Sequence, residues 1–174
     1  IIRTYNKPIY SLSTSGRESL YLNFDRLHRL RPGYGYRNFK DATKGDLTPE
    51  NDGLFRIELD SGKNKLLYSL KQISLTDQLS DYGMAEHYIN HIIWSPKGDK
   101  FIFFHIWQEE KTRCSRLMLG GKNIPLCCIF SQTRGNISHY AWKNNDELLI
   151  SVSDHNKSIK YLLVDVLKKT NIII

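Results

Sequence analysis

No run of roughly 18 apolar residues occurs in the chain, which excludes a membrane-spanning helix of ordinary length, and no basic-then-apolar leader opens it. Cysteine is scarce. Cys114, Cys127 and Cys128 are an odd set, and the adjacent pair points to opposite faces of a strand, so no disulfide framework is implied. A reducing compartment such as the cytoplasm is the one this usage favours. There is no Cys-x-x-Cys pair to support zinc or dithiol chemistry. No nucleic-acid-binding module is recognisable and the basic residues cluster locally, so nucleic acid is not favoured as a partner, and a membrane is not expected. What remains is 174 residues, 40% hydrophobic and 11% aromatic, with a net charge of +7: a folded domain that suits an acidic partner.

The organising feature is a phrase that recurs three times: Pro8 to Gly16, Asn90 to Gly98 and Ser138 to Asp146. Each copy reads as an apolar strand, a polar four-residue turn and a second apolar strand, the start of a β-hairpin. Trp94 and Trp142 stand 48 residues apart at equivalent positions, with Leu12 in the first copy, and this spacing is near the period of a four-stranded propeller blade. Two more strands complete each unit: Leu54 to Leu59 and Lys65 to Leu70; Arg116 to Leu119 and Pro125 to Phe130; Tyr161 to Val166 and Ile172 to Ile174. The expectation is an all-β partial propeller of three four-stranded antiparallel blades, spanning 8–70, 90–131 and 136–174, with 71–89 as an insertion and 1–7 as an outer strand of a preceding blade. Three blades do not close a ring. The missing ones are expected from the same polypeptide, six- or seven-bladed in all, or from a second copy. A β-sandwich of similar strand count is the alternative.

One charged segment stands out: Arg26-Leu27-His28-Arg29-Leu30-Arg31-Pro32-Gly33-Tyr34-Gly35-Tyr36-Arg37, in a connection running from residue 25 to about 53. Long connections on rigid scaffolds carry binding residues. Arg26, Arg29 and Arg31 supply bidentate donors and Tyr34 and Tyr36 flat faces, which suits an anionic sugar or oligosaccharide. The competing reading is a solvated basic loop paired with Asp25, Asp41, Asp46 and Glu50. In propeller topology, the starts of first strands, the ends of second strands and the loops after them converge on one face. His91 and His139 hold the same repeat position, and folding the second hairpin brings His105 opposite His91 or one residue off. These three histidines are candidate ligands for a divalent metal. Asn23 is the repeat equivalent of His105 and joins the ligand-binding set. Glu86, His87, Glu109 and Glu110 read as exposed loop charges, while Arg113 and Arg116 extend the basic surface.

The stretch Asn90 to His105, followed by Arg113 and Arg116, resembles a blade of the TolB-like propellers, and its two histidines make it similar to the oligogalacturonate lyase branch. Arg26 to Tyr36 resembles a signature of uncharacterised bacterial propeller proteins, some associated with cell-surface polysaccharide genes. The resemblance implies a manganese-like metal held by histidines and a glutamine, although no compact Gln-and-His cluster is visible in the chain. It implies β-elimination from a uronate, in which the sugar carboxylate is neutralised and a base removes the C5 proton. His91, His105 and His139 with a metal, or Arg26, Arg29, Arg31 and Arg113, serve the first task; His28 or His155 serves the second. Binding of an anionic glycan without catalysis and a protein-interaction propeller are the other functions this sequence supports.

Overall fold

The computed structural model describes residues 4–36, 39–78, 84–109, 112–131, 136–153 and 158–174; Arg37, Glu110, His155 and the side chains of Glu109 and Asn136 lie outside what is described. Its elements in chain order are β1 (Ser11–Leu12), β2 (Glu18–Tyr21), α1 (Phe24–Leu30), β3 (Gly53–Glu58), β4 (Asn64–Ser69), α2 (Leu70–Leu75), β5 (Tyr88–Trp94), β6 (Lys100–Glu109), β7 (Thr112–Gly121), β8 (Cys127–Ser131), β9 (Asn136–Trp142), β10 (Glu147–Ser153), β11 (Ile159–Asp165) and β12 (Thr170–Ile173). The fold is all-β. The strands form three four-stranded antiparallel sheets, each with its strands adjacent in chain order: β1 to β4, β5 to β8 and β9 to β12.

The recurring phrase forms the first hairpin of each sheet. Ser13 N donates to Glu18 O and Ser95 N to Lys100 O, and each turn is closed by a glycine of nearly the same positive φ, 68° at Gly16 and 66° at Gly98. Left-handed backbone at this point is why glycine recurs there. The third turn is one residue shorter: Lys143 N donates to Glu147 O, and Asn144 Oδ1 accepts from Asp146 N and Glu147 N in place of a glycine bend. Successive turns touch one another. Thr14 Oγ1 donates to Pro96 O at 2.9 Å, and Lys97 N donates to Asn145 Oδ1 at 3.0 Å. Below them the buried Lys100 ammonium reaches Asp146 at 3.1 Å, and Trp94 Nε1 donates to Ser11 O. Large residues at the strand ends thus lie between sheets at Trp94, whereas Leu12 is 54% exposed.

Alternation on the strands fills one continuous core. In β10, Leu148, Ile150 and Val152 are buried and the residues between them are half-buried, and Leu162 and Val164 of β11 repeat the pattern. The widest part of the core is the second sheet, where Phe101 to Phe104 and Leu117 to Leu119 are all buried. On the opposite face of the third sheet Ile159, Tyr161 and Ile172 are exposed. No helix among the described residues is long and apolar enough to cross a membrane.

The basic segment is a helix at its start rather than a loop. Asn23 caps α1, its Oδ1 accepting from Asp25 N and Arg26 N, and the 71–89 segment likewise begins with a helix, α2, capped by Ser69. Phe24, Leu27 and Leu30 recur at helical spacing, with Leu27 buried and its two neighbours lying against the core. After the helix the chain bends at Gly33, φ 95°, so that Tyr34 N donates back to Arg31 O. Gly35 then lies so close to α1 that a Cβ there would sit 2.1 Å from Phe24 O.

Candidate functional site

Within α1 and the turn after it, three arginines occupy three different environments. Arg26 is 1% exposed, and its guanidinium donates to His87 O (2.7 Å), Thr43 O and Oγ1 (3.1 and 3.0 Å), Asp46 O (2.9 Å) and Leu47 O (3.2 Å). Every donor it has is spent on holding the 43–47 connection to the strand-entry segment at His87, so it is not available to a ligand. Arg29 is neutralised by Asp41, at 2.7 Å, and by Glu86. Of the three, Arg31, just past the C-terminal end of the helix, stays half-buried with no carboxylate partner among the described residues, its guanidinium 4.5 Å over the ring of Tyr34. The competing sequence reading, a basic segment paired with acids, therefore describes Arg29 and not Arg31. Asn23 is consumed as a cap, its Nδ2 donating to Asp52 Oδ2 at 2.9 Å. Tyr36 stacks on Phe24 at 4.7 Å and lines a separate cavity.

Arg31 and Tyr34 overhang a cleft of 320 Å³ lined also by Asn90, His91, Arg113, Ser115, Ser138, His139 and Ser153, with Phe104, Ile106 and Ile137 forming its apolar part. A neighbouring cavity of 430 Å³ shares Arg31 and Arg113 with it. No acidic side chain among the described residues lines either cavity. The residues come from the starts of β5, β7 and β9 and the ends of β6 and β10, the convergence that the strand order predicts. Arg31, Tyr34, Arg113, His91 and His139 are thus brought together; His28 is not among the lining residues. Asn90, Ser115 and Ser138 were missed by sequence reasoning, and only their place at strand ends near the repeated histidines marks them; Ser153 holds the repeat position of His105, as Asn23 does.

His105 goes elsewhere, and the register is the reason. It pairs with Ile89, one residue from the Asn90 that the register at Trp94 and Phe101 would give, because β5 shifts register between Asn90 and Ile93, with His91 at φ 54° inside the bulge; in neither register does it lie opposite His91. Phe104 and Ile106 face the cleft with Arg113 and Ser115 of the neighbouring strand; His105 and Arg116, paired across the ladder, face the other side. There Arg116 Nε donates to His105 Nδ1 at 3.0 Å, so the proton on His105 sits at Nε2 and is donated to His87 Nδ1 at 2.7 Å. Both nitrogens of His105 are occupied, so a three-histidine metal site with His91 and His139 does not fit this arrangement. Among the described residues no three His, Cys, Asp or Glu side chains gather to hold a metal. His87, expected as an exposed loop residue, is 1% exposed, and Arg116 completes the chain by donating to Ile73 O, Ser74 O and Asp77 O beyond the end of α2.

Burial, reinforced by Arg116 and Arg26, pushes His87 down to about 4, and burial beside His87 and Arg116 holds His105 well below the usual imidazole range. Both rings stay neutral in the folded protein while the unfolded chain takes up protons below about pH 6.5. Stability is expected to fall as pH drops from 6.5 to 4, by about 3 kcal/mol for His87 alone. Urea midpoints measured across that window test this; a flat profile would contradict neutral buried histidines. In the cleft, burial together with His139 and Arg31 lowers His91, so its ring is a neutral hydrogen-bonding group. His139 is exposed, with Nδ1 2.7 Å from Ser138 Oγ.

No protein-family model, curated protein or solved structure matches the chain, so its own geometry carries the functional argument.

Proposed function

We propose that this protein binds an anionic sugar or oligosaccharide in the cleft beneath Arg31 and Arg113, on a scaffold in which the three sheets are consecutive blades of a β-propeller. The carrying observation is that two arginines, two histidines and three serines line a cleft without a single acidic side chain among the described residues. Arginine matches a carboxylate with two parallel donors, serine hydroxyls serve sugar hydroxyls, and the apolar wall of Phe104, Ile106 and Ile137 suits the C–H face of a ring. Turn-on-turn contacts repeated from the first sheet to the second and from the second to the third favour blades, because a sandwich requires no such succession. The exposed Ile159, Tyr161 and Ile172 face is where a following blade would lie. Lyase chemistry is the second reading: His91 and His139 lie beside Arg31 and Arg113, while His105, turned to the other face of the sheet, takes no part in it.

Calorimetric titration with digalacturonate and, separately, with an uncharged disaccharide tests the proposal. The acidic sugar is expected to bind, more weakly as salt rises, and the neutral one at least tenfold more weakly. Equal affinity for both, or binding of neither, would reject an anion-selective cleft.

A further inference from the structure

Asn90 is 1% exposed and yet lines the cleft. Its two polar ends are treated differently. Tyr10 Oη accepts from His91 N at 3.1 Å and passes its single proton to the Asn90 side chain at 2.9 Å, which makes the atom facing Tyr10 the amide oxygen. Nδ2 is then a buried donor with no hydrogen-bond partner among the described residues, and Nδ1 of His91, which lines the same cleft, is buried without a partner among them too. Leaving such a donor unpaired costs a protein about 1–3 kcal/mol. An apolar side chain would fill the position without that cost.

The backbone around Asn90 is built for the same end. In a regular strand Asn90 and His91 would face opposite sides of the sheet. The bulge in β5 and the left-handed conformation of His91, one that non-glycine residues seldom adopt, bring both into one cleft. β9 also shifts register beside the equivalent His139, between the partners Ser151 and Val152.

We infer that Asn90 is a specificity-determining residue of this cleft: Nδ2 donates to a ring or carboxylate oxygen of the bound sugar, and Tyr10 positions it by holding the other end of the amide. The inference rests on the proposed binding of an anionic sugar. It predicts selection for an acceptor at one point of the ligand, which two arginines alone do not provide.

The test titrates digalacturonate into the parent protein and into Asn90→Ala, Asn90→Asp, Tyr10→Phe and Arg113→Ala, with thermal unfolding confirming that each is folded. Asn90→Ala is expected to bind about three- to tenfold more weakly, and Asn90→Asp, which replaces only the donor by an acceptor, at least tenfold more weakly. Tyr10→Phe, which frees the amide to rotate, falls between parent and Asn90→Ala. In the parent, the Asn90 side-chain NH₂ resonances shift on saturation. Parent-like affinity in both Asn90 variants, beside a loss in Arg113→Ala, overturns the assignment of Asn90 and leaves the arginine cleft standing. Failure of the parent to bind, or full affinity in Arg113→Ala as well, overturns both.

Discussion

Replacing Arg31 and Arg113 together by alanine is expected to weaken digalacturonate binding by roughly 100-fold or more, with each single variant losing about tenfold. A hydrogen bond to a charged group contributes about 1.5–3 kcal/mol, and a tenfold change in affinity corresponds to about 1.4 kcal/mol. Arg31 and Arg113 each line both cavities, and no acidic side chain among those described lines either cavity to compensate them. Arg29→Ala is the informative control. Arg29 lies in the same basic segment, but Asp41 and Glu86 already neutralise it, so its loss is expected to change affinity by about twofold or less. Titration calorimetry of the three single variants and the double variant distinguishes a specific cleft from a diffuse positive surface. Equal losses from all three arginines would support the diffuse surface, because net charge alone would then set the binding.

The largest stability effects are expected at the other two buried arginines. Arg26→Met would leave the carbonyls of Thr43, Asp46, Leu47 and His87 without their donor, and Arg116→Met those of Ile73, Ser74 and Asp77. Methionine approximates the volume and supplies no N–H, so each exchange isolates the polar loss. Unpaired buried acceptors cost about 1–3 kcal/mol apiece, offset where a carbonyl regains water, which gives a net loss of roughly 3–5 kcal/mol per variant. For a chain of this length that is a fall in Tm of roughly 10 °C. Arg26→Lys is expected to recover little, since an ammonium has three donors at one point where the guanidinium reaches four residues from five N–H groups. Thermal and urea unfolding measure all three variants. A loss below about 1 kcal/mol in Arg26→Met would mean that its hydrogen bonds do not hold the 43–47 connection.

These two predictions share one segment, and the segment explains what could be read in advance. Arg26, Arg29 and Arg31 look alike as letters in a basic run; their roles diverge because Arg26 and Arg29 lie one turn apart on a face of α1 that meets the 41–47 connection and Glu86, whereas Arg31 follows the helix as its C-cap, with non-helical backbone. The sequence signal for that helix was present: Asn23 as a cap and Phe24, Leu27 and Leu30 at its spacing. It was masked by the density of charge and by the Pro-Gly turn that follows. Arg31 and Tyr34 are then joined by the bend at Gly33, which was legible as a turn. Their meeting with Arg113, which lies 82 residues beyond Arg31 in the chain, was legible only through strand order. His105 illustrates the opposite case. Hairpin folding placed it opposite His91 or one residue off; the register set at Trp94 and Phe101 already turns the two rings to opposite faces, and the extra residue in β5 brings Asn90 over to the His91 side.

The three four-stranded antiparallel units, their hairpin turns and the common position of His91 and His139 follow from local pattern, because strand alternation and the left-handed glycines of the first two turns are local properties of the chain. Packing between distant residues sets which cations meet a carboxylate among the described residues, which histidines share a cleft and which are held neutral by the charged Arg116 in an Arg116–His105–His87 chain. Those outcomes depend on bulges and on which backbone carbonyls a distant side chain happens to reach, and such contacts form between residues that no local pattern connects.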